Sequence, residues 1–207
     1  MARNVTAGIV LAAGRSSRMG SHKLLLHLGG HPLVTYAVNA ALASKADPVV
    51  VVLGYMAEQV RVALPAGNYQ VVENPRYAEG MATSLRAGIA AVPAGTAGAL
   101  VLLADQPLLR VNYLNQLLDE AEEAPDGIVA ASYGGRRGNP VYFPRALFGE
   151  LLAVEGDEGG RSVLTRHADR LRLVALEPVE AALDVDRPGE YETLVANWDR
   201  YSSMGKG

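Results

Sequence analysis

The alternation of short apolar runs with helix-like segments constrains the fold of this chain more than any other feature. Four runs rich in branched residues are each followed by glycine or polar positions, as is typical of buried parallel strands. They are Ala7–Leu11, Pro48–Leu53, Tyr69–Glu73 and Ala97–Ala104. The helix candidates are Pro32–Ser44, Ala57–Leu64, Ala82–Val92, Val111–Ala121 and a stripe of Tyr191, Leu194, Val195 and Trp198 behind Pro188. This order predicts an α/β sandwich with a mostly parallel sheet.

The segment from Asp126 to Asp184 interrupts the alternation. It holds two glycine-rich pieces, Gly134–Gly138 and Glu155–Gly160, on either side of a predicted strand at Pro140–Phe143. Such pieces are typical of long functional loops or of a binding lobe on the same domain. Because 207 residues contain no separating linker, we predict one domain over residues 1–200 and a flexible tail over residues 201–207.

Composition excludes several classes of protein. The chain has no cysteine, which excludes a disulfide scaffold, a thiolate zinc site and an iron–sulfur cluster. Its net charge of -3 argues against nonspecific nucleic-acid binding through a basic surface. No run reaches the ~18 apolar residues of a membrane span, and no signal peptide is recognisable. We therefore expect a cytoplasmic protein that binds neither nucleic acid nor membrane.

Charge is distributed unevenly along the chain. Residues 1–100 hold 8 Lys/Arg and 4 Asp/Glu, whereas residues 101–207 hold 11 and 18. This asymmetry fits an anion-binding site facing a metal site, and it equally fits acidic helices on the surface.

The loop after the first predicted strand, Leu11–Lys23, carries the strongest functional signal. It combines small residues with three cations, Arg15, Arg18 and Lys23. Small residues let the backbone approach a ligand closely, and successive amides cradle phosphate oxygens. The loop predicts a triphosphate site, the alternative being a solvated turn.

Acidic residues follow two later segments. Asp105 ends the most apolar strand, where ligands of open α/β sheets gather, and a carboxylate there suits Mg²⁺. Asp184 and Asp186 alternate along the chain, so both carboxylates can face one site. The alternatives are helix capping by Asp105 and capping of the Pro188 helix by the later pair.

Other well-known sites do not match the sequence. Ser16 and Met19 occupy the places of two glycines of the dinucleotide fingerprint counted from Gly14, and Lys23 stands too far from Gly14 for a P-loop. No Gly-x-Ser-x-Gly elbow is present. None of the histidines shows metal-site spacing. They are His22, His27, His31 and His167.

Together these motifs closely resemble the nucleotidyltransferases that act on the molybdenum cofactor, over nearly the whole chain. The motifs are Leu11–Lys23 with Leu24–Leu26 and Gly30, then Asn74–Met81, Ser84–Gly88, Ala104–Pro107, Gly138–Val141, Gly156–Arg161 and Asp184–Pro188. The Ala12-Ala13 pair resembles the cytidylyltransferase branch. The resemblance implies a three-layer α/β/α sandwich, Rossmann-like, of the nucleotide-diphospho-sugar transferase type. Residues of about 1–125 would form its nucleotide-binding half and those of about 126–200 its acceptor-binding half.

The resemblance also implies a reaction and a set of residues. CMP would pass from CTP to the phosphate of a molybdopterin-type cofactor with Mg²⁺ as cofactor and pyrophosphate as product, and a client molybdoenzyme is a further candidate partner. The implied catalytic residues are Lys23, Arg15 and Asp105, with Asp105 and Asp186 as metal ligands. The implied nucleotide contacts are Leu11, Ala12, Ala13, Gly14, Arg15, Ser16, Lys23, Asn74, Gly80, Ser84 and Asp105. The implied acceptor contacts are Gln106, Asn139, Pro140, Asp157 and Arg161.

Two positions depart from the family pattern. Asn139 replaces an expected histidine and Gly160 an expected alanine, both in the acceptor region. The alternatives are therefore a transferase that uses GTP or a sugar phosphate or other small phosphorylated acceptor, and a non-enzymatic chaperone that loads a molybdoenzyme. The missing dinucleotide fingerprint disfavours a nicotinamide or flavin oxidoreductase.

Overall fold

A seven-stranded mixed sheet forms the centre of the fold. The computed structural model describes residues 5–16, 19 and 22–203. Within these ranges the strands are β1 (Thr6–Ala12), β2 (His27–Leu28), β3 (His31–Pro32), β4 (Val49–Leu53), β5 (Tyr69–Glu73), β6 (Gly98–Leu103), β7 (Ile128–Tyr133), β8 (Arg136–Pro144) and β9 (Leu171–Ala175). The α-helices are α1 (Leu33–Ala43), α2 (Ala57–Ala63), α3 (Met81–Ala91), α4 (Val111–Glu123), α5 (Phe148–Leu151), α6 (Arg161–Arg166), α7 (Pro188–Ala196) and α8 (Trp198–Ser203).

The sheet has the order β5-β4-β1-β6-β8-β7-β9, and β2 pairs with β3 in a separate hairpin. Strands β5, β4, β1 and β6 are parallel to one another, and β9 is parallel to β7. Only β8 runs antiparallel to its neighbours among the described strands of the sheet. This is the mostly parallel α/β architecture that the sequence predicted.

Helices cover both faces of the sheet, which makes three layers. Along β4, Val49, Val51 and Leu53 contact one apolar cluster, whereas Val50 and Val52 contact the other. Because successive strand residues point to opposite faces, a strand between two helical layers is apolar at every position. Helices α1, α2 and α4 pack on the first face, and α3, α5 and α6 pack on the second.

The parallel strands end at one edge of the sheet. Leu11 of β1 pairs with Leu103 of β6, and Ala12 pairs with Leu53 of β4. The residues after β1 therefore lie beside those after β6, which is the place where open α/β sheets bind ligands.

The segment from Asp126 to Asp184, expected to form long loops or a lobe, instead extends the main sheet. It contributes β7, β8 and β9. Gly134 and Gly135 form the turn between β7 and β8 with φ of 55° and 79°, a conformation that suits glycine. The predicted strand at Pro140–Phe143 is the second half of β8.

The C-terminal helices differ from the predicted stripe and tail. Leu194 is buried, but Val195 is 49% exposed. Helix α7 ends at Ala196, so Trp198 begins α8 and packs against Tyr36 with ring centroids 5.1 Å apart. The sequence predicted a flexible tail from residue 201, whereas α8 continues through Ser203 and Tyr201 is buried among apolar side chains.

Candidate active site

A cleft of about 840 Å³ opens at the carboxyl ends of β1 and β6. Its lining includes a first wall, formed by the loop after β1 and the start of α3, and a second wall, formed by β8 and the loop before α6. The cleft thus joins the two predicted halves of the chain, and most residues assigned to a site from the sequence line it.

Lys23 lies between two carboxylates at the base of this cleft. Its Nζ donates to Oδ2 of Asp105 at 2.5 Å and to Oδ1 of Asp186 at 2.6 Å. The Lys23 and Asp105 side chains are only 11% and 16% exposed. Burial alone would lower the pKa of Lys23, but attraction to Asp105 and the two hydrogen bonds outweigh it and raise that pKa. The structure therefore holds a charged lysine between two carboxyl groups.

Local contacts fix Lys23 at the end of the loop. It begins a single 3-10 turn, Lys23–Leu25, and its backbone N–H donates to Oγ of Ser16 at 3.2 Å. The preceding His22 is buried, and its Nε2 lies 3.0 Å from the carbonyl oxygen of Tyr55. Burial lowers the pKa of His22. Both neighbours thus anchor the backbone that presents the ammonium group.

A backbone contact joins the two acidic segments. The N–H of Val185 donates to the carbonyl oxygen of Asp105 at 3.1 Å, and Val185 itself is fully buried. Since side chains alternate along an extended segment, Asp184 and Asp186 both line the cleft on either side of the buried valine. Glu190 of α7 accepts the N–H of Asp186 at 2.7 Å and that of Arg187 at 2.8 Å.

Asp184 is a third carboxylate in the site, and its role was not assigned from the sequence. Burial and, to a lesser extent, the charge of Asp105 raise its pKa to about 7, although a hydrogen bond with Gln106 acts in the opposite direction. The signal that could have identified it is the Asp-x-Asp alternation, from which only Asp186 was chosen as a metal ligand.

The loop after β1 presents some predicted nucleotide contacts and hides others. Leu11, Ala13, Gly14 and Arg15 line the cleft, whereas the side chain of Ala12 lies in the core at 1% exposure. Ser16 does not line the cleft, and its Oγ accepts the hydrogen bond from the backbone N–H of Lys23. Among the described residues, no atom lies within 4 Å of a Cβ added at Gly14. The predicted cation Arg18 lies outside the described residues.

Aromatic residues stand beside this loop. The guanidinium carbon of Arg15 lies 5.9 Å from the ring centroid of Tyr77, which also lines the cleft. Sequence analysis missed Tyr77, because nothing in its spacing distinguishes it from a buried tyrosine.

Asn74 supports the wall of the cleft from behind. It is buried, and its Nδ2 donates to Oγ1 of Thr83 at 2.8 Å and to Oγ of Ser84 at 2.9 Å. Ser84 and Gly80 line the cleft themselves. Gly80 has φ of 111°, and an added Cβ would lie 2.4 Å from the carbonyl oxygen of Gly156, so only glycine fits here.

The second wall contains three of the predicted acceptor contacts. Asn139, Asp157 and Arg161 line the cleft, whereas Gln106 and Pro140 are buried and do not. Oδ1 of Asp157 also accepts the N–H of Met81 at 3.1 Å, which links this wall to the start of α3. Arg137 and Phe143 of β8 line the wall as well, and sequence analysis did not select them.

Buried oxygens at the base of the cleft suit a hard cation. Oδ1 of Asp105 and Oδ1 of Asp184 are buried and lack a hydrogen-bond partner within the described ranges. The same ranges contain no group of three or more His, Cys, Asp or Glu side chains arranged to hold a metal ion. An unpartnered carboxylate oxygen is the type of ligand that a hard divalent cation prefers, so Oδ1 of Asp105 is available to such an ion.

Residues 8–171 match the MobA-like NTP transferase domain. The chain belongs to the MobA-like NTP transferase family. It is a nucleotidyltransferase, and its sheet has the nucleotide-diphospho-sugar transferase fold.

Three relatives span nearly the whole MobA-like chain. The purine catabolism protein PucB of Bacillus subtilis is 31% identical over 196 residues, covering 90% of this chain and 94% of PucB. Nicotine blue oxidoreductase of Paenarthrobacter nicotinovorans is 32% identical over 188 residues, covering 86% and 91%. Molybdenum cofactor cytidylyltransferase of Escherichia coli is 25% identical over 197 residues, covering 95% and 97%.

Solved structures show the same fold. The crystal structure of Rv0371c from Mycobacterium tuberculosis H37Rv has a TM-score of 0.83 and 31% identity, covering 93% of this chain and 98% of that chain. A structure of Rv0371c in complex with manganese has a TM-score of 0.76 and 29% identity over the same shares of the two chains. A divalent metal thus occurs in a structural relative of this transferase.

Within the described residues, no helix is both long and apolar enough to cross a membrane.

Proposed function

We propose that this MobA-like transferase moves CMP from CTP to the phosphate of a molybdopterin-type cofactor and releases pyrophosphate. The observation that carries the proposal is that Lys23 contacts both Asp105 and Asp186 beside the small-residue loop. These three residues line the same cleft as the residues of the second wall, where an acceptor can bind. The E. coli relative named molybdenum cofactor cytidylyltransferase supports the choice of nucleotide and acceptor.

The reaction needs no covalent intermediate on the enzyme. An oxygen of the acceptor phosphate attacks the α-phosphorus of CTP, and the bond from that phosphorus to the bridging oxygen of the β-phosphate breaks. Pyrophosphate leaves with the electron pair, and a new phosphoanhydride joins CMP to the acceptor. Catalysis of this kind rests on positioning and on neutralising charge.

The cleft supplies the groups for both tasks. The backbone at Ala13 and Gly14 approaches the phosphates, and Arg15 adds an exposed cation. Lys23 stabilises the negative charge that develops on the leaving phosphates. The nucleoside lies against the backbone of Leu11–Ala13 and against Ser84. Asn74 positions Ser84 through its hydrogen bond.

The acceptor lies against the second wall in this proposal. Arg161 is exposed at the start of α6 and pairs with the acceptor phosphate, while Asn139 contacts the organic part. Arg137 lies on the same wall and offers a second cation. Gln106, which is buried and bonded to Asp184, acts by holding that carboxyl group.

Asp105 and Asp186 are the residues that would hold Mg²⁺. Bound there, the ion supplies positive charge to the phosphate oxygens and orients them for in-line attack. The orphaned Oδ1 of Asp105 supports a cation at this place. The manganese complex of Rv0371c supports the use of a divalent metal, without locating it.

The test is an assay of pyrophosphate release with CTP, GTP, ATP and UTP in the presence of Mg²⁺. Each nucleotide is paired with molybdenum cofactor and with a panel of sugar phosphates, and products are identified by mass spectrometry. The expected result is a cytosine dinucleotide formed only from CTP and the pterin. Turnover confined to GTP or to a sugar phosphate would replace the proposed substrates but keep the transferase chemistry.

Two further outcomes would contradict the reaction itself. Pterin binding without consumption of any nucleotide would indicate a chaperone that loads a molybdoenzyme. A flavin spectrum in the purified protein would favour the oxidoreductase activity after which one relative is named.

A client molybdoenzyme and a cytoplasmic location belong to the same proposal. The absence of cysteine fits a reducing compartment, where the cofactor product would be handed on. Co-purification of the transferase with a molybdoenzyme that carries the cytosine dinucleotide tests the partner.

A further inference from the structure

We propose that Lys23 blocks the divalent-cation site until a nucleoside triphosphate gives its ammonium group another partner. The inference rests on the proposed function and concerns the order in which ligands enter the same site. It predicts that the metal binds weakly alone and strongly together with the triphosphate.

The position of the ammonium group is the first argument. Nζ of Lys23 lies 2.5 Å from Oδ2 of Asp105 and 2.6 Å from Oδ1 of Asp186, so the ammonium group occupies the space between the two carboxylates. Mg²⁺ binds oxygen at about 2.0–2.1 Å. A divalent cation held by both carboxylates would compete with the ammonium group for this space and be repelled by its charge, so Lys23 must move before both carboxylates can bind metal.

Burial is the second argument. The Lys23 side chain is 11% exposed, so its charge needs a partner wherever it moves within the cleft. The neighbouring wall offers Arg15, which repels it, and the backbone of Gly14. A triphosphate bound against that backbone supplies the missing negative charge, while a dication arriving alone supplies repulsion.

Binding linkage then fixes the consequence. If the triphosphate draws Lys23 away from the carboxylates, it raises the affinity for metal, and the metal must raise the affinity for triphosphate by the same factor. The resting ion pair thus prevents the site from filling with metal before the nucleotide arrives.

The experiment is an electron paramagnetic resonance titration of the nucleotide-free protein with Mn²⁺. We expect Lys23→Met to bind Mn²⁺ at least about tenfold more tightly than the wild type, within the usual range of coupling between ligands. This sign is unusual, because removal of a catalytic residue would improve a binding step. Equal or weaker binding by Lys23→Met would overturn the inference.

Arg15→Met is the matched control. It removes another cation from the same cleft, but Arg15 does not bond either carboxylate within the described contacts. Its Mn²⁺ affinity should change less than about twofold, because exposed charges are screened. An equal gain in both variants would show that only the overall field matters and would contradict the proposed block.

Two further variants test where Mn²⁺ binds and whether the charge of Lys23 is the cause. Adding Asp186→Asn to Lys23→Met should abolish the gain, which locates the bound Mn²⁺; a persistent gain would contradict the proposed site. Lys23→Gln keeps a hydrogen-bond donor toward the carboxylates but removes the charge, so it should also bind Mn²⁺ more tightly than the wild type. It replaces Lys23→Met in the test if that variant fails to fold. Circular dichroism melting reports folding of each variant.

The proposed function is tested separately. Mn²⁺ titration involves neither nucleotide nor acceptor, whereas pyrophosphate release by the wild type does not depend on when Lys23 moves. A failure of one measurement therefore leaves the other interpretable.

Discussion

The backbone N–H of Val185 donates a hydrogen bond of 3.1 Å to the carbonyl oxygen of Asp105. This contact ties the segment that carries Asp184 and Asp186 to the end of β6. Lys23, which is 82 residues before Asp105 in the sequence, completes the group from the other side. The site therefore depends on three segments that only the folded sheet brings together.

Removal of either central charge should nearly abolish turnover. Lys23→Ala and Asp105→Ala each delete a fixed charge from a buried site, where such groups contribute about 10²–10³ in rate. Pyrophosphate release measures the loss, and circular dichroism checks that the fold persists. Lys45→Ala and Asp119→Ala are the controls, because they break an ion pair whose side chains are 53% and 52% exposed. Full activity in both central variants would refute the assigned roles.

Asp184 should make stability depend on pH in the metal-free protein. Its folded pKa is raised to about 7 from a usual value of 3.8. Between these values the folded protein holds a proton that the unfolded chain has released, so stability decreases as pH rises toward 7. Asp184→Asn cannot ionise, and its melting temperature relative to the wild type should increase from pH 5 to pH 8. A difference that stays constant over this range would show that the carboxyl group titrates normally.

Glu190 should hold Asp186 in position through the backbone. Its carboxylate accepts two N–H groups at the start of α7. Glu190→Ala should cost about 0.5–2 kcal/mol of stability, as the loss of a helix cap does, and should raise the Mg²⁺ concentration for half-maximal activity severalfold. Glu192→Ala is the control on the same helix, where the residue is exposed. An unchanged Mg²⁺ requirement in Glu190→Ala would limit this residue to a structural role.

The lack of a side chain at Gly160 should leave the space that the Phe143 ring occupies in the second wall. A Cβ at Gly160 would lie 2.7 Å from Cζ of Phe143. Gly160→Ala should therefore cost about 1–3 kcal/mol through overpacking and should raise KM for the acceptor more than KM for CTP. Phe143→Leu should restore both properties. Gly149→Ala is the matched control, since no atom of the described residues beyond its own helix and chain neighbours lies within 4 Å of its added Cβ, and helix α5 tolerates alanine. If Phe143→Leu restores neither the stability nor the acceptor KM of Gly160→Ala, contact with Phe143 is not the cause of those changes.

The parallel half of the fold could be predicted because its strands are buried on both faces. Val49–Leu53 is apolar at every position for that reason, and polar or glycine residues mark its end. Strand β7 was missed, since Ala130, Ala131 and Ser132 are small and give a weak apolar signal. Its place in the sheet is set by pairing with β8 and β9, which local sequence does not encode.

The site was predictable in part for a similar reason. The sequence signals are a lysine at the end of the loop after β1 (Lys23), a carboxylate after the end of β6 (Asp105) and an Asp-x-Asp alternation that includes Asp186. Their residue types and positions indicate the chemistry. Sequence does not say which side of a segment faces the cleft, and Asn74 and Gln106 accordingly turned out to be buried behind its walls. The raised pKa of Asp184 arises from burial and from Asp105, both of which are tertiary effects.

Calorimetric titration with CTP in the presence of Mg²⁺, with GTP as the comparison, tests the central claim most directly. The account predicts CTP binding that requires Mg²⁺, that is tighter than GTP binding, and that Asp186→Asn greatly weakens. Binding of CTP that is indifferent to Mg²⁺ and to Asp186, or the absence of CTP binding, would contradict it.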